Sequence, residues 1–219
     1  GINDRDICRW RIENGQQQSP TMQAGSDVRS TVVSQDARIV SGEGGKVIIW
    51  NATTHQKALD FTSYAGYVRA IDISSDSTKV AFTDPGAVRI FDITSGNPLL
   101  PPIAHSYTKG VKFSPDGSRI AAISSYCGFC VYNTRNGDIL FDSGSQGSCD
   151  TWTKAPLAWS SDGQQIFVAS KGKGTITCFD VSRSSKSKWS IHENRCEASI
   201  VSNGRFIACS AARSVSFWD

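Results

Sequence analysis

Six times along this chain an apolar run ends on an aromatic residue followed by a polar one, at nearly constant spacing. The runs are DICRWR, KVIIWN, AVRIFD, GFCVYN, TITCFD and SVSFWD, with aromatics Trp10, Trp50, Phe91, Tyr132, Phe179 and Trp218. Successive aromatics stand 40, 41, 41, 47 and 39 residues apart; the long interval holds a Gly/Ser-rich insertion around residues 143–154. A period of this length marks one supersecondary unit that cannot cover its own apolar faces and must stack on its neighbours.

The unit has internal structure. Ahead of each aromatic–polar pair lie two apolar runs joined by a turn: VRSTVVSQDARIVSG, VRAIDISSDSTKVAFTD, VKFSPDGSRIAAIS, LAWSSDGQQIFVAS and ASIVSNGRFIACS. Asp-Gly and Asn-Gly favour tight turns, because glycine accepts positive φ and Asx side chains bond the local backbone. The flanking runs of four to six residues are rich in β-branched types and too short for helices. A polar turn and a further short strand, such as Ile139–Phe141, follow each aromatic. Four antiparallel strands per period, with no capped helical stretch, predict an all-β propeller of four-stranded blades.

At these residues the chain resembles WD40 repeats over nearly its full length. The fullest match is Val111-Lys112-Phe113-Ser114-Pro115-Asp116-Gly117-Ser118-Arg119-Ile120-Ala121; Trp218-Asp219 and Phe91-Asp92 match the signature dipeptide and its common variant. Gly96-Asn97-Pro98-Leu99-Leu100-Pro101-Pro102 and Pro156-Leu157-Ala158-Trp159-Ser160-Ser161-Asp162-Gly163 resemble WD40 tails of mushroom-type fungal NACHT (STAND NTPase) proteins. That resemblance implies a propeller that senses a ligand or partner beside an NTPase module. The module is not among these residues, so its activity does not transfer.

The WD40 pattern of histidine, aspartate, Ser/Thr and tryptophan is incomplete here. Asp4 stands the expected six residues before Trp10, but Gly44, Pro85 and Tyr126 occupy the corresponding positions, Tyr64 replaces a blade-leading histidine, and His105 is one residue off register. The expectation is of blades held mainly by apolar packing. They fall near 28–63, 67–104, 109–142, 155–192 and 197–219, with a partial blade over 1–23. About five repeats are thus expected in one domain. They either close a small ring through the N-terminal strand or, as the preferred reading, form part of a larger propeller, for example a seven-bladed one. An open arc would invite self-association.

Composition narrows the function classes. A net charge of +3 gives no footprint for nucleic acid, and the basic stretch Lys171, Lys173, Arg183, Lys186, Lys188 and Arg195 reads as a solvated outer strand, with phosphate binding the minority reading. No apolar run is long enough for a membrane span. Seven scattered cysteines argue against a disulfide framework and for a reduced, cytoplasmic setting, with Cys8, Cys178 and Cys209 acting as small hydrophobes. Gly42-Glu43-Gly44-Gly45-Lys46 lacks the Ser/Thr and helix of a phosphate loop and reads as a hairpin. Cys127-Gly128-Phe129-Cys130 lacks a second ligand pair for zinc and reads as hairpin cysteines able to form a local disulfide. His55, His105 and His192 stand without a nucleophile motif, and Asn51-Ala52-Thr53 is a glycosylation sequon relevant only in a secreted chain. Neither catalysis nor a cofactor or metal is expected.

Binding is expected on the face built from the loops entering the inner strands and the hairpins joining second and third strands. Its candidates are Tyr64, Tyr67, Arg69, His105, Tyr107, Lys109, Tyr126, Phe129, Trp152 and Lys154. Tyrosine, tryptophan and arginine dominate interface energetics. A protein partner is the leading expectation, and a carbohydrate stacking on the aromatics is the alternative.

Overall fold

The computed structural model describes residues 5–145, 147–149, 156–170, 175–182, 189–192, 196–202, 206–211 and 214–218. Among them there is no helix, hence none long and apolar enough to cross a membrane. The chain opens with a hairpin of β1 (Asp6–Trp10) and β2 (Gln17–Gln23). Four antiparallel four-stranded sheets follow, each in sequence order. The first holds β3 (Ser30–Val33), β4 (Arg38–Gly42), β5 (Gly44–Asn51) and β6 (Lys57–Tyr67). The second holds β7 (Ala70–Ile73), β8 (Lys79–Thr83), β9 (Ala87–Asp92) and β10 (Ile103–Ala104). The third holds β11 (Thr108–Phe113), β12 (Arg119–Ser124), β13 (Phe129–Asn133) and β14 (Ile139–Asp142). The fourth holds β15 (Leu157–Trp159), β16 (Gln165–Ser170), β17 (Thr175–Asp180) and β18 (Trp189–His192). A three-stranded sheet of β19 (Cys196–Ser202), β20 (Ile207–Ala211) and β21 (Ser214–Trp218) completes the described chain. The all-β expectation and its repeated four-stranded unit therefore hold. The second sheet's outer strand is cut to two residues because Pro98, Pro101 and Pro102 have no N–H to give a ladder.

Two turns are written identically into successive sheets. Between first and second strands, the Oγ of Ser34, Ser74, Ser114 and Ser160 donates to Asp36, Asp76, Asp116 and Asp162. The same oxygens accept the backbone N–H of Arg38, Lys79, Arg119 and Gln165 at 2.9–3.0 Å. One hydroxyl thus ties both arms of the turn, while the carboxylate caps amides such as those of Thr78 and Gln164. After the third strand, the polar residue that follows the aromatic folds back in the same way. Asn51, Asp92, Asn133 and Asp180 accept the N–H groups of Thr53, Thr94, Arg135 and Ser182. The polar half of the recurrent dipeptide is therefore a turn cap.

Alternation of side chains makes each sheet face two neighbours. Val47 and Ile49 join Val68, Ile71, Val80 and Phe82 between the first and second sheets. Ile48 and Trp50 point the other way, onto Ile7 and Met22 of the first hairpin. Further clusters fill the second–third, third–fourth and fourth–fifth junctions around Tyr132, Phe179 and Ile207. The first strands β3, β7, β11, β15 and β19 each touch the next. Polar bonds cross these junctions too. Asp72 accepts Lys112 Nζ at 2.7 Å and the Phe113 N–H at 2.8 Å, Trp159 Nε1 donates to the Lys112 carbonyl at 3.0 Å, and Arg119 donates to the Gly163 carbonyl at 2.7 Å. Burial holds the Asp72 carboxyl above its ordinary range despite Lys112.

The cysteines depart from expectation at two positions: Cys8, read as a small hydrophobe, is exposed on β1, where only Ile7 turns inward. Cys209 is disulfide-bonded, which corrects its reading as a free thiol. Cys8, Cys127, Cys130, Cys149 and Cys178 are free. The local Cys127–Cys130 disulfide is not formed: Cys127 is exposed in the hairpin, whereas Cys130 is buried on β13.

Candidate functional site

The hairpins joining second and third strands share one rim of the stacked sheets with the connections that enter each first strand. The residue opening each hairpin fixes the rim. Strand register pairs Ile39 with Trp50, Val80 with Phe91 and Ile120 with Tyr132. Four residues on from the first member of each pair stand Glu43, Asp84 and Ser124, all buried. Glu43 Oε2 accepts the N–H groups of Gly25 and Ser26 at 2.9 and 3.3 Å, and its Oε1 lies 3.4 Å from Ser41 Oγ, which accepts Trp50 Nε1–H at 2.9 Å. Asp84 accepts the amides of Gly86 and Ala87 and the Arg89 guanidinium at 2.7 Å. Ser124 Oγ accepts the amides of Tyr126 and Cys127.

These groups correct the sequence alignment, which placed Gly44, Pro85 and Tyr126 there; the apolar packing expected between the sheets stands beside them. The acidic residue sits one position earlier in the first two sheets, and the third hairpin is one residue longer. Buried polar groups are retained because nearly every donor among them is answered. Gly42-Glu43-Gly44-Gly45-Lys46 is the first of these hairpins, closed by the Glu43 N–H on the Lys46 carbonyl.

His105 and Phe129, expected to be exposed on that face, are buried. Phe129 is fully buried against Phe141 and Phe179, because its place on β13 faces the next sheet. The buried His105 shares a 2.7 Å hydrogen bond between Nδ1 and the Tyr132 hydroxyl, its ring meeting the tyrosine edge-on. Burial lowers the His105 pKa, partly offset by the Asp142 carboxylate. Burial also raises the Tyr132 hydroxyl and pushes the Cys130 thiol up to about 11. His105 thus ties the entry of the third sheet to Tyr132 on its third strand.

Among the described candidates, three tyrosines are exposed. Tyr107 has φ 56°, and its backbone bridges two sheets: its N–H donates to the Pro85 carbonyl, and its own carbonyl accepts the Ser125 N–H. Its ring stands edge-on to Tyr126, centroids 5.1 Å apart at 88°. Both rings are exposed. Tyr67, at the end of β6, is exposed with the Arg29 guanidinium 4.2 Å above its ring. Arg29 escaped sequence reading, because no motif brings the entry loop of the first sheet to the end of its outer strand. Arg69, just before β7, and Lys109, on β11, are half-buried. The Tyr64 side chain, Trp152, Lys154, Asp4 and the basic positions from Lys171 to Arg195 lie outside the described residues, as does the His192 side chain. His55 lies in the β5–β6 turn at the opposite rim, away from His105. Among the described residues no group of three His, Cys, Asp or Glu side chains could hold a metal ion.

The rim can therefore present flat aromatic surface on a backbone-pinned frame, with a cation at one end. In comparison with known proteins, no protein-family model matches this chain and no curated protein matches it.

Proposed function

We infer that the chain is a WD40-type propeller segment acting as a non-catalytic interaction scaffold, with a protein partner bound on the rim carrying Tyr67, Tyr107 and Tyr126. The observation that carries this reading is the exposed Tyr107–Tyr126 pair. The Tyr107 backbone is held by Pro85 of the second sheet and Ser125 of the third, the Tyr126 amide by Ser124 Oγ, and the two rings meet edge-on. Tyrosine offers large contact area at low conformational cost, and pre-anchoring lowers that cost further. The stacking of successive four-stranded sheets and the recurrent Ser–Asp turn support the propeller and WD40 assignments. The fungal NACHT resemblance adds a sensor role within a larger protein. Five free cysteines support a cytoplasmic setting, and the disulfide at Cys209 counts against it.

The test is affinity capture with the wild-type chain, a Tyr107→Ala/Tyr126→Ala pair, and Gln35→Ala on the opposite rim as control. A specific protein retained by wild type and control, and weakened about tenfold or more by the tyrosine pair, supports the reading. Equal capture by all three sinks it. An aromatic pair also stacks on sugar rings, so the same variants go onto a glycan array. Tyrosine-dependent glycan binding without a protein partner would replace the protein reading with the carbohydrate one.

A further inference from the structure

Three cations stand at one position of the repeat. Arg29, Arg69 and Lys109 follow one another at intervals of 40 residues. Each comes just before the residue that pairs with the end of the second strand: Ser30 with Gly42, Ala70 with Thr83 and Gly110 with Ile123. The first strands that they lead into lie side by side. The Ile71 N–H donates to Ser30 Oγ at 3.2 Å, and the Phe113 N–H donates to Asp72 at 2.8 Å. The cations therefore form a row across the first three sheets at the tyrosine rim.

The second and third members share a longer pattern. Tyr67 and Tyr107 each stand two residues before the cation, and both rings are exposed. Arg29 joins this pattern from the first sheet, its guanidinium 4.2 Å above the Tyr67 ring. The acidic side chains of the neighbouring hairpins are engaged elsewhere, Glu43 by the amides of Gly25 and Ser26 and Asp84 by Arg89. Among the described residues neither Arg29 nor Arg69 stands in a salt bridge. Asp27 holds the place ahead of Arg29 where the other two entries carry tyrosine, so the strip is most positive over the second and third sheets.

We propose that the partner bound on this rim presents an acidic segment, its carboxylates meeting Arg29, Arg69 and Lys109 while its apolar side chains lie on Tyr67, Tyr107 and Tyr126. The proposal rests on the protein-partner reading and names that partner's chemistry. Charge complementarity selects the occupant: a row of like charges repels a basic segment and steers an acidic one. The planar fork of arginine matches a carboxylate in two parallel hydrogen bonds. Three cations are too few for the phosphate footprint of a nucleic-acid site, and the net charge of the whole chain is only +3.

Fluorescence anisotropy with a short labelled oligoglutamate peptide at physiological ionic strength tests it, with oligothymidylate as the nucleic-acid arm. Wild type and a Lys57→Gln/Arg135→Gln control, which removes equal charge from the opposite rim, are expected to bind oligoglutamate alike. Arg69→Gln/Lys109→Gln should weaken that binding about fivefold or more. Both of those positions are half-buried, so Arg29→Gln, at an exposed position, is the second variant and should weaken it about twofold or more. No binding by wild type, equal binding by all four proteins, or tighter binding of oligothymidylate through the same cations would each overturn the acidic partner. Affinity capture separates this outcome from the rim reading. A protein retained through Tyr107 and Tyr126 but indifferent to Arg69→Gln/Lys109→Gln leaves the rim reading standing and overturns the acidic segment.

Discussion

Four consecutive Ser–Asp turns require the same backbone at the residue after the aspartate, and the chain meets the requirement unevenly. Gly117 and Gly163 adopt φ 67° and 66° there, whereas Ala37 and Ser77 are held at 61° and 57°. A Cβ in this left-handed region crowds the following carbonyl, at a cost of roughly 1–2 kcal/mol, and glycine escapes it at a smaller entropic cost in the unfolded chain. Ala37→Gly and Ser77→Gly are therefore each expected to raise unfolding free energy by about 0.5–1 kcal/mol. Urea denaturation of the two variants checks this, and a loss of stability in both would show that the Cβ at these turns does more than strain the backbone. The β5–β6 turn repeats the pattern, with His55 at φ 58° where the next two sheets carry Gly96 and Gly137. At this scale the sequence was partly legible. The Asp-Gly turns announced themselves, while Ala37, Ser77 and His55 became visible as strained only through their alignment with glycines.

A turn shared by several sheets also sets how the elements respond to acid. Hydrogen bonds from Ser74 and Thr78 hold Asp76 at about 2, and those from Ser114 and Ser118 hold Asp116 at about 2, both below the ordinary 3.8. A depressed carboxylate takes its proton later in the folded chain than in the unfolded one, so its stabilisation is whole above pH 3.8 and is lost as the pH falls toward 2. Asp116→Asn should lower stability at neutral pH and flatten the pH dependence between 3.8 and 2. Denaturation at both ends of that window checks it, and an unchanged slope would remove Asp116 from the account. The strands bounded by these turns were legible from period and turn chemistry. Which hairpin residues face inward was not, although the repeat held the answer for Phe129. Its position three before Tyr132 matches Val47, Val88 and Ile176, all apolar and all turned to the next sheet. Glu43 and Asp84 were missed because the offset of six, taken from Asp4 and Trp10, is one short of the seven residues that separate them from Trp50 and Phe91, and the third hairpin is longer by one more. Only the strand pairing puts Glu43, Asp84 and Ser124 at one position.

Across the whole molecule, stability is distributed by neighbours. Each sheet buries its faces only against the sheets before and after it, so local opening should be cheapest where one neighbour is missing. The second, third and fourth sheets are packed on both faces, and their second strands hold residues such as Phe82, Ile120 and Ile166 at full burial. The last sheet is covered on one face only, and the first hairpin leaves Trp10 in solvent. Hydrogen exchange of the dilute chain is therefore expected to show graded protection: slowest at β8, β12 and β16, faster at β20, and fastest at β1 and β21. Equal protection of all sheets would mean that the stack opens as one cooperative unit rather than sheet by sheet.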